Sequence, residues 1–190
     1  FPKIGLAENR AWLKQRNKDL HKLNTLVVGH FNIEFLVGDP DGKAGPRGFF
    51  KFYHDLWDKK LLGPKPVKDP LELLEKNADG TPIQNNSYSI GGMKEYWACL
   101  NNPHWRKVLK AWVRHGIAQG LDGFMINYFY RHNCLCEHCQ GRFRAYLGER
   151  FTAEELKSKF NIGNLATHKF SEIGAWHDPK KSTPFKREQL

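Results

Sequence analysis

Long apolar runs are missing from this sequence: no stretch approaches the roughly eighteen apolar residues of a membrane span, and no signal-peptide pattern is visible. A membrane partner is therefore not expected, and with Phe1 rather than Met at the start, localisation stays open. Blocks of like charge are missing too. The formal net charge is +10, but it is spread over "KQRNKDLHK", "WRKVLKAWVR" and "PKKSTPFKRE", with Asp or Glu interrupting many of the basic residues. Without a run of five like charges or an Arg-Gly repeat, a solvated basic surface is expected rather than a nucleic-acid-binding face. Internal repeats are absent as well. Cysteine is scarce at four residues, yet three of the four fall within six positions, 134–139.

What is present is an ordinary globular composition, 40% apolar and 26% charged over 190 residues, so a single domain spanning 1–190 with a proper core is expected. Residues 6–23 place Leu6, Trp12, Leu13, Leu20 and Leu23 on one helical face. "TLVVGHF" follows and reads as a buried parallel strand near 25–31. About seventy residues, 32–101, then hold two expected helices, "FFKFYHDLWDKKLL" and "DPLELLEK", the latter with Asp69 as N-cap and Pro70 in its first turn. "NADGTP" is a turn signal. A helix near 103–119 opens with Asn102 as cap and Pro103 behind it, and Gly120 closes it. "GFMINYF" predicts a second buried strand near 123–129, a helix is expected near 137–149, and "TAEE" is a capping-box start for another. This alternation predicts an α/β fold with parallel strands, in which chemistry sits in the loops after the strands' carboxyl ends. The 32–101 connection and the cysteine loop both fall there.

Cys134, Cys136 and Cys139 form C-x-C-x-x-C, and Cys99 precedes the helix that leads back to the same strand. Four thiolates around one ion make a closed tetrahedral site of the kind that holds structural zinc. Such a site would staple two long loops that lack a core of their own. This reading uses every cysteine. The alternatives are disulfides, for which C-x-C geometry is poor but Cys136 and Cys139 are spaced acceptably, and unpaired thiols. His132 and His138 are possible replacements for one cysteine.

"W-x-C-x-N-N-P-x-W-R" before a helix, then "DGFMINYF", then "CLCEHCQGRFRAYLGERF" resembles the barrel of zinc-containing β-galactosidases. A looser likeness extends to bacterial glycosidase-like (β/α)8 proteins with a D-G-I-F-F-D-N strand before the cysteines. The resemblance covers residues 93–150 and implies all or part of a TIM (β/α)8 barrel, a structural zinc, a carbohydrate ligand and hydrolysis of O-glycosidic bonds. One departure stands out. Those enzymes carry a glutamate at the strand end, whereas here no carboxylate occurs between Asp122 and Glu137, and Asn127 occupies the position. An amide hydrogen-bonds a hydroxyl but cannot serve as general acid.

The remaining candidates follow from alternation. In "VVGHFNIEF" an extended chain would point His30, Asn32 and Glu34 the same way, toward Asn127 and Tyr128. Glu34 is the first candidate carboxylate. Glu95 is the second, beside Tyr96 and Trp97, whose rings would form a sugar-stacking wall. Asp122 precedes the strand and lies at its wrong end. The competing expectations are a carbohydrate-binding barrel without hydrolysis, which Asn127 and Tyr128 would suit, and a basic zinc module for nucleic acid.

Overall fold

The computed structural model describes residues 7–85, 90–127 and 133–171. Six helices are present among them: α1 (Ala7–Lys22), α2 (Gly48–Asp55), α3 (Lys59–Leu62), α4 (Pro103–Ala118), α5 (Glu137–Arg150) and α6 (Ala153–Phe160). The strands are β1 (Val28–Asn32), β2 (Phe35–Asp39), β3 (Gln84–Asn85), β4 (Lys94–Trp97) and β5 (Gly123–Asn127). By internal contacts the chain forms two compact units. One comprises residues up to Leu74 together with those from Ile83 through β5, and the other comprises Glu75–Pro82 together with the cysteine loop, α5 and α6.

In the first unit β1 and β5 pair in parallel, Val28 opposite Gly123 and Asn32 opposite Asn127. Two features of this pair depart from expectation. Among the described residues the sheet stops at two strands, and Val28, Met125 and Ile126 are 60%, 57% and 53% exposed, so this apolar run is not sandwiched on both faces. The other strands make a separate antiparallel sheet in the order β2-β4-β3, with Phe35 opposite Trp97 and Gln84 opposite Tyr96. An eight-unit TIM barrel is thereby overturned. Five strands in two small sheets, among the described residues, are too few to close one. The physical reason lies in the 32–101 connection. It folds back on itself through β2, β3 and β4 instead of looping between parallel strands.

That return builds the core. Leu36 and Tyr96 pair across the sheet, and Tyr96 meets the edge of Phe50 at 5.3 Å. Phe49, Phe50, Tyr53, Leu73 and Trp105 are fully buried around them. The backbones of β2 and the start of α2 approach so closely that a Cβ on Gly48 (φ +58°) would lie 2.1 Å from the Val37 carbonyl oxygen. Only glycine fits there. Arg47 closes the same turn by donating its Nε–H to Asp39 at 2.8 Å.

Helix α4 forms for the reasons its sequence suggests. Asn102 Oδ1 accepts the His104 and Trp105 N–H groups at 2.9 and 3.4 Å, and Pro103 occupies the first turn. Trp105, Val108, Ala111 and Trp112 then face inward. Trp105 also donates its indole N–H to the Ile33 carbonyl at 2.8 Å. Truncating so central a ring to alanine costs about 3–5 kcal/mol.

Three expected helices came out differently. The "FFKFYHDLWDKKLL" helix divides into α2 and α3, because Asp58 caps the Lys60 and Leu61 N–H groups and restarts the chain. "DPLELLEK" yields only a 3-10 turn at Pro70–Leu73. Leu74 leaves that turn extended to bridge Ala98, and Leu73 accepts the Cys99 N–H at 2.9 Å. Helix α1 keeps its expected span but not its apolar face: Trp12 is 62% and Leu23 74% exposed, while Leu6 lies outside the described residues. Its buried residue is Asn17, which donates to the Gln119 carbonyl at 2.8 Å.

The second unit has its own small core of Leu147, Leu156, Ile162 and Phe170. Thr152 and Glu155 form the expected capping box at the start of α6. Gln140 clamps the Phe170 backbone, donating to its carbonyl at 3.2 Å and accepting its N–H at 3.0 Å. The "NADGT" turn closes through Asn77 N–H to Thr81 O at 2.9 Å.

Candidate metal centre and cleft

Cys99 is held by backbone before any side-chain chemistry is considered. Its N–H bonds Leu73, its carbonyl accepts the Asn102 N–H at 2.9 Å, and the residue is 1% exposed. Leu73, Leu74 and Ala98 around it are fully buried. Cys134 and Cys136 flank Leu135, whose N–H donates to the Lys76 carbonyl at 2.8 Å. Cys136 is the N-cap of α5 and Cys139 lies in its first turn. The exposed N–H groups of a helix start favour the thiolate form of a cysteine placed there. These three are partly buried, and no disulfide joins any of the four.

The four sulfur atoms lie within 4.8 Å of one another. Thiolates 2.3 Å from a common ion at tetrahedral angles sit roughly 3.8 Å apart, so small side-chain rotations close the cluster on a metal. His138 lies outside the cluster, and His132 is outside the described residues.

The other expected site residues are only partly brought together. Asn32 and Asn127 are register partners at the ends of β1 and β5, with His30 two residues upstream on β1. Glu34 leaves the set, because β1 ends at Asn32. Asn32 Oδ1 turns back to accept the Phe35 N–H at 2.9 Å, and Glu34 is 2% exposed. Glu95 is 3% exposed on β4 between Val37 and Asn85, and its Oε1 accepts no hydrogen bond among the described residues. Tyr96 and Trp97 are 3% and 6% exposed, so they pack within the fold rather than offer a stacking wall. Burial, then the negative charges of Asp39 and Asp41, raises the Tyr96 hydroxyl pKa. Tyr128 is outside the described residues. Asp122 is an anchor: its carboxylate accepts the Val27 N–H at 2.8 Å and meets His21 Nε2 at 2.7 Å.

A cleft of about 710 Å³ lies within the first unit, and His30 and Asn32 border it. Phe31, Phe35, Trp112 and Phe124 give it aromatic walls. His115 of α4 also lines it, a residue the sequence pattern did not single out. No sequence signal marks it: the neighbouring Gly116, where a Cβ would come within 2.9 Å of the Phe124 ring, gains its meaning only in the fold. Burial, reinforced by the positive charge of Arg10, lowers the His115 pKa and keeps its imidazole neutral near pH 7. Among the described residues no Asp, Glu, Lys or Arg lines the cleft.

The likeness of residues 93–150 to the barrel of zinc-containing β-galactosidases does not hold, since that barrel is not formed. No protein-family model, no curated protein and no solved structure matches the chain.

Proposed function

We propose that Cys99, Cys134, Cys136 and Cys139 hold one zinc ion whose role is structural. The carrying observation is the grouping of all four sulfurs within 4.8 Å, with no imidazole or carboxylate in the set among the described residues. Soft thiolate donors select zinc or iron over hard cations, and four of them leave no open position for substrate. Metal analysis of protein purified without chelator tests this, with one zinc per chain expected. Metal-free protein with four titratable thiols, or iron in place of zinc, would overturn it.

A second reading concerns the ligand, and the cleft favours it. We propose that the protein binds a carbohydrate there without hydrolysing it. His30 and Asn32 offer polar contacts, and the aromatic walls suit the apolar face of a sugar ring. Hydrolysis needs two carboxyl groups flanking the scissile bond, and Glu34 and Glu95 are buried away from the cleft lining. Binding of p-nitrophenyl glycosides by calorimetry, with nitrophenol release followed in parallel, separates the two. Binding without release is expected. Release that disappears in Glu34→Gln or Glu95→Gln would restore an enzyme.

A further inference from the structure

We infer that the cleft is a site for uncharged ligands, and that His115 is its specificity-determining residue, donating to or accepting from a ligand hydroxyl. The inference deepens the carbohydrate reading and rests on it for the choice of probe. Two observations carry it. The first is what the cleft spends and leaves unspent. Asn32 commits its Oδ1 to the turn after β1, while no bond among the described residues engages its NH2 group. The His115 ring likewise makes no hydrogen bond among the described residues, although it is half-buried. Together with His30, two side chains with unused donors and an acceptor thus border a cleft otherwise walled by aromatic and aliphatic groups. Polar groups left unpaired in such surroundings are what a hydroxyl-bearing ligand satisfies.

The second observation is the lack of compensating charge. With no Asp, Glu, Lys or Arg among the described lining residues, a carboxylate or phosphate entering the cleft would lose its hydration without gaining a permanently charged partner in the lining. A neutral imidazole reinforces the choice, since it offers one donor and one acceptor rather than a cation. The approach of Phe124 to Gly116, one residue on, sets the width of the wall beside His115.

The test uses the full chain in its metal-bound form and four probes measured by calorimetry near pH 7.5. They are p-nitrophenyl β-D-glucopyranoside, p-nitrophenyl β-D-glucuronide, p-nitrophenyl phosphate and 4-nitrobenzyl alcohol. The neutral glycoside is expected to bind at least about tenfold more tightly than the glucuronide and phosphate. His115→Ala should weaken it about tenfold, the size of one lost hydrogen bond, while His115→Gln, which keeps a donor and an acceptor, should stay within about threefold. Unfolding midpoints and metal content of both variants control for misfolding, and the neutral-to-charged ratio of the unmodified protein needs no variant. Equal binding of charged and neutral glycosides would overturn the inference while leaving the carbohydrate reading standing. Binding of 4-nitrobenzyl alcohol alone, with the same His115 dependence, would do the reverse. No binding by any probe, or no effect of His115→Ala, would end the inference.

Discussion

At the scale of single residues, Asp122 shows how an acidic side chain can serve the fold alone. The Val27 N–H, and then His21, hold its carboxyl below the usual carboxylate range. A depressed folded pKa contributes stability that is present above the unfolded value, about 3.9, and is lost as pH falls through the lower folded value. Asp122→Asn keeps an acceptor for Val27 but removes the charge. The variant should therefore unfold at lower urea than the parent at pH 7, and the gap should close as pH falls below about 4. A gap unchanged across that range would mean that the charge contributes nothing. Residue identity was legible where chemistry alone decides it, as with the four cysteines, because their type and number already specify a ligand set. It was illegible for Glu34, whose direction depends on Asn32 ending the strand, and for His115, whose role depends on which walls its helix meets.

At the scale of elements, local signals placed the three longest helices, α4 with a side-chain cap and α5 without one. The spans expected for α1, α4 and α5 agree with those found to within one residue at each end. Strands β2, β3 and β4 were not legible, because they are short and their pairing joins residues far apart in sequence. The 3-10 turn at Pro70–Leu73 failed to become a helix for a related reason: bridging Ala98 competes with helical bonding at Leu74. Asn102 tests how much a capped boundary contributes. Besides accepting two N–H groups of α4, it donates its Nδ2–H to the Glu72 carbonyl at 2.8 Å, at 1% exposure. Asn102→Ala should cost about 2–4 kcal/mol, combining a lost cap with a buried carbonyl left unpaired. A loss under about 0.5 kcal/mol by urea unfolding would show that the cap is replaced by water.

At the scale of the molecule, each compact unit carries its own apolar core, so metal removal should not unfold everything alike. Cys99 is fixed by backbone bonds among fully buried neighbours and needs no metal to keep its place. The 134–139 loop sits nearer solvent: its cysteines are half-buried, and the Leu135 N–H to Lys76 O bond at 2.8 Å joins it to the 75–82 segment. Zinc binding free energy in such a site becomes folding free energy for whatever the ligands hold in place. After chelation, amide hydrogen exchange should accelerate at Leu135 and through the first turn of α5, by about a hundredfold or more. Amides of α4 around Trp105 and Val108, both essentially unexposed, should slow-exchange as before. Cys99→Ser and Cys139→Ser should each reproduce the pattern, because either substitution breaks the tetrahedral set. Uniform acceleration across α4 would instead make the metal a condition for the whole fold, and exchange unchanged at Leu135 would show that the cysteine loop is held without it.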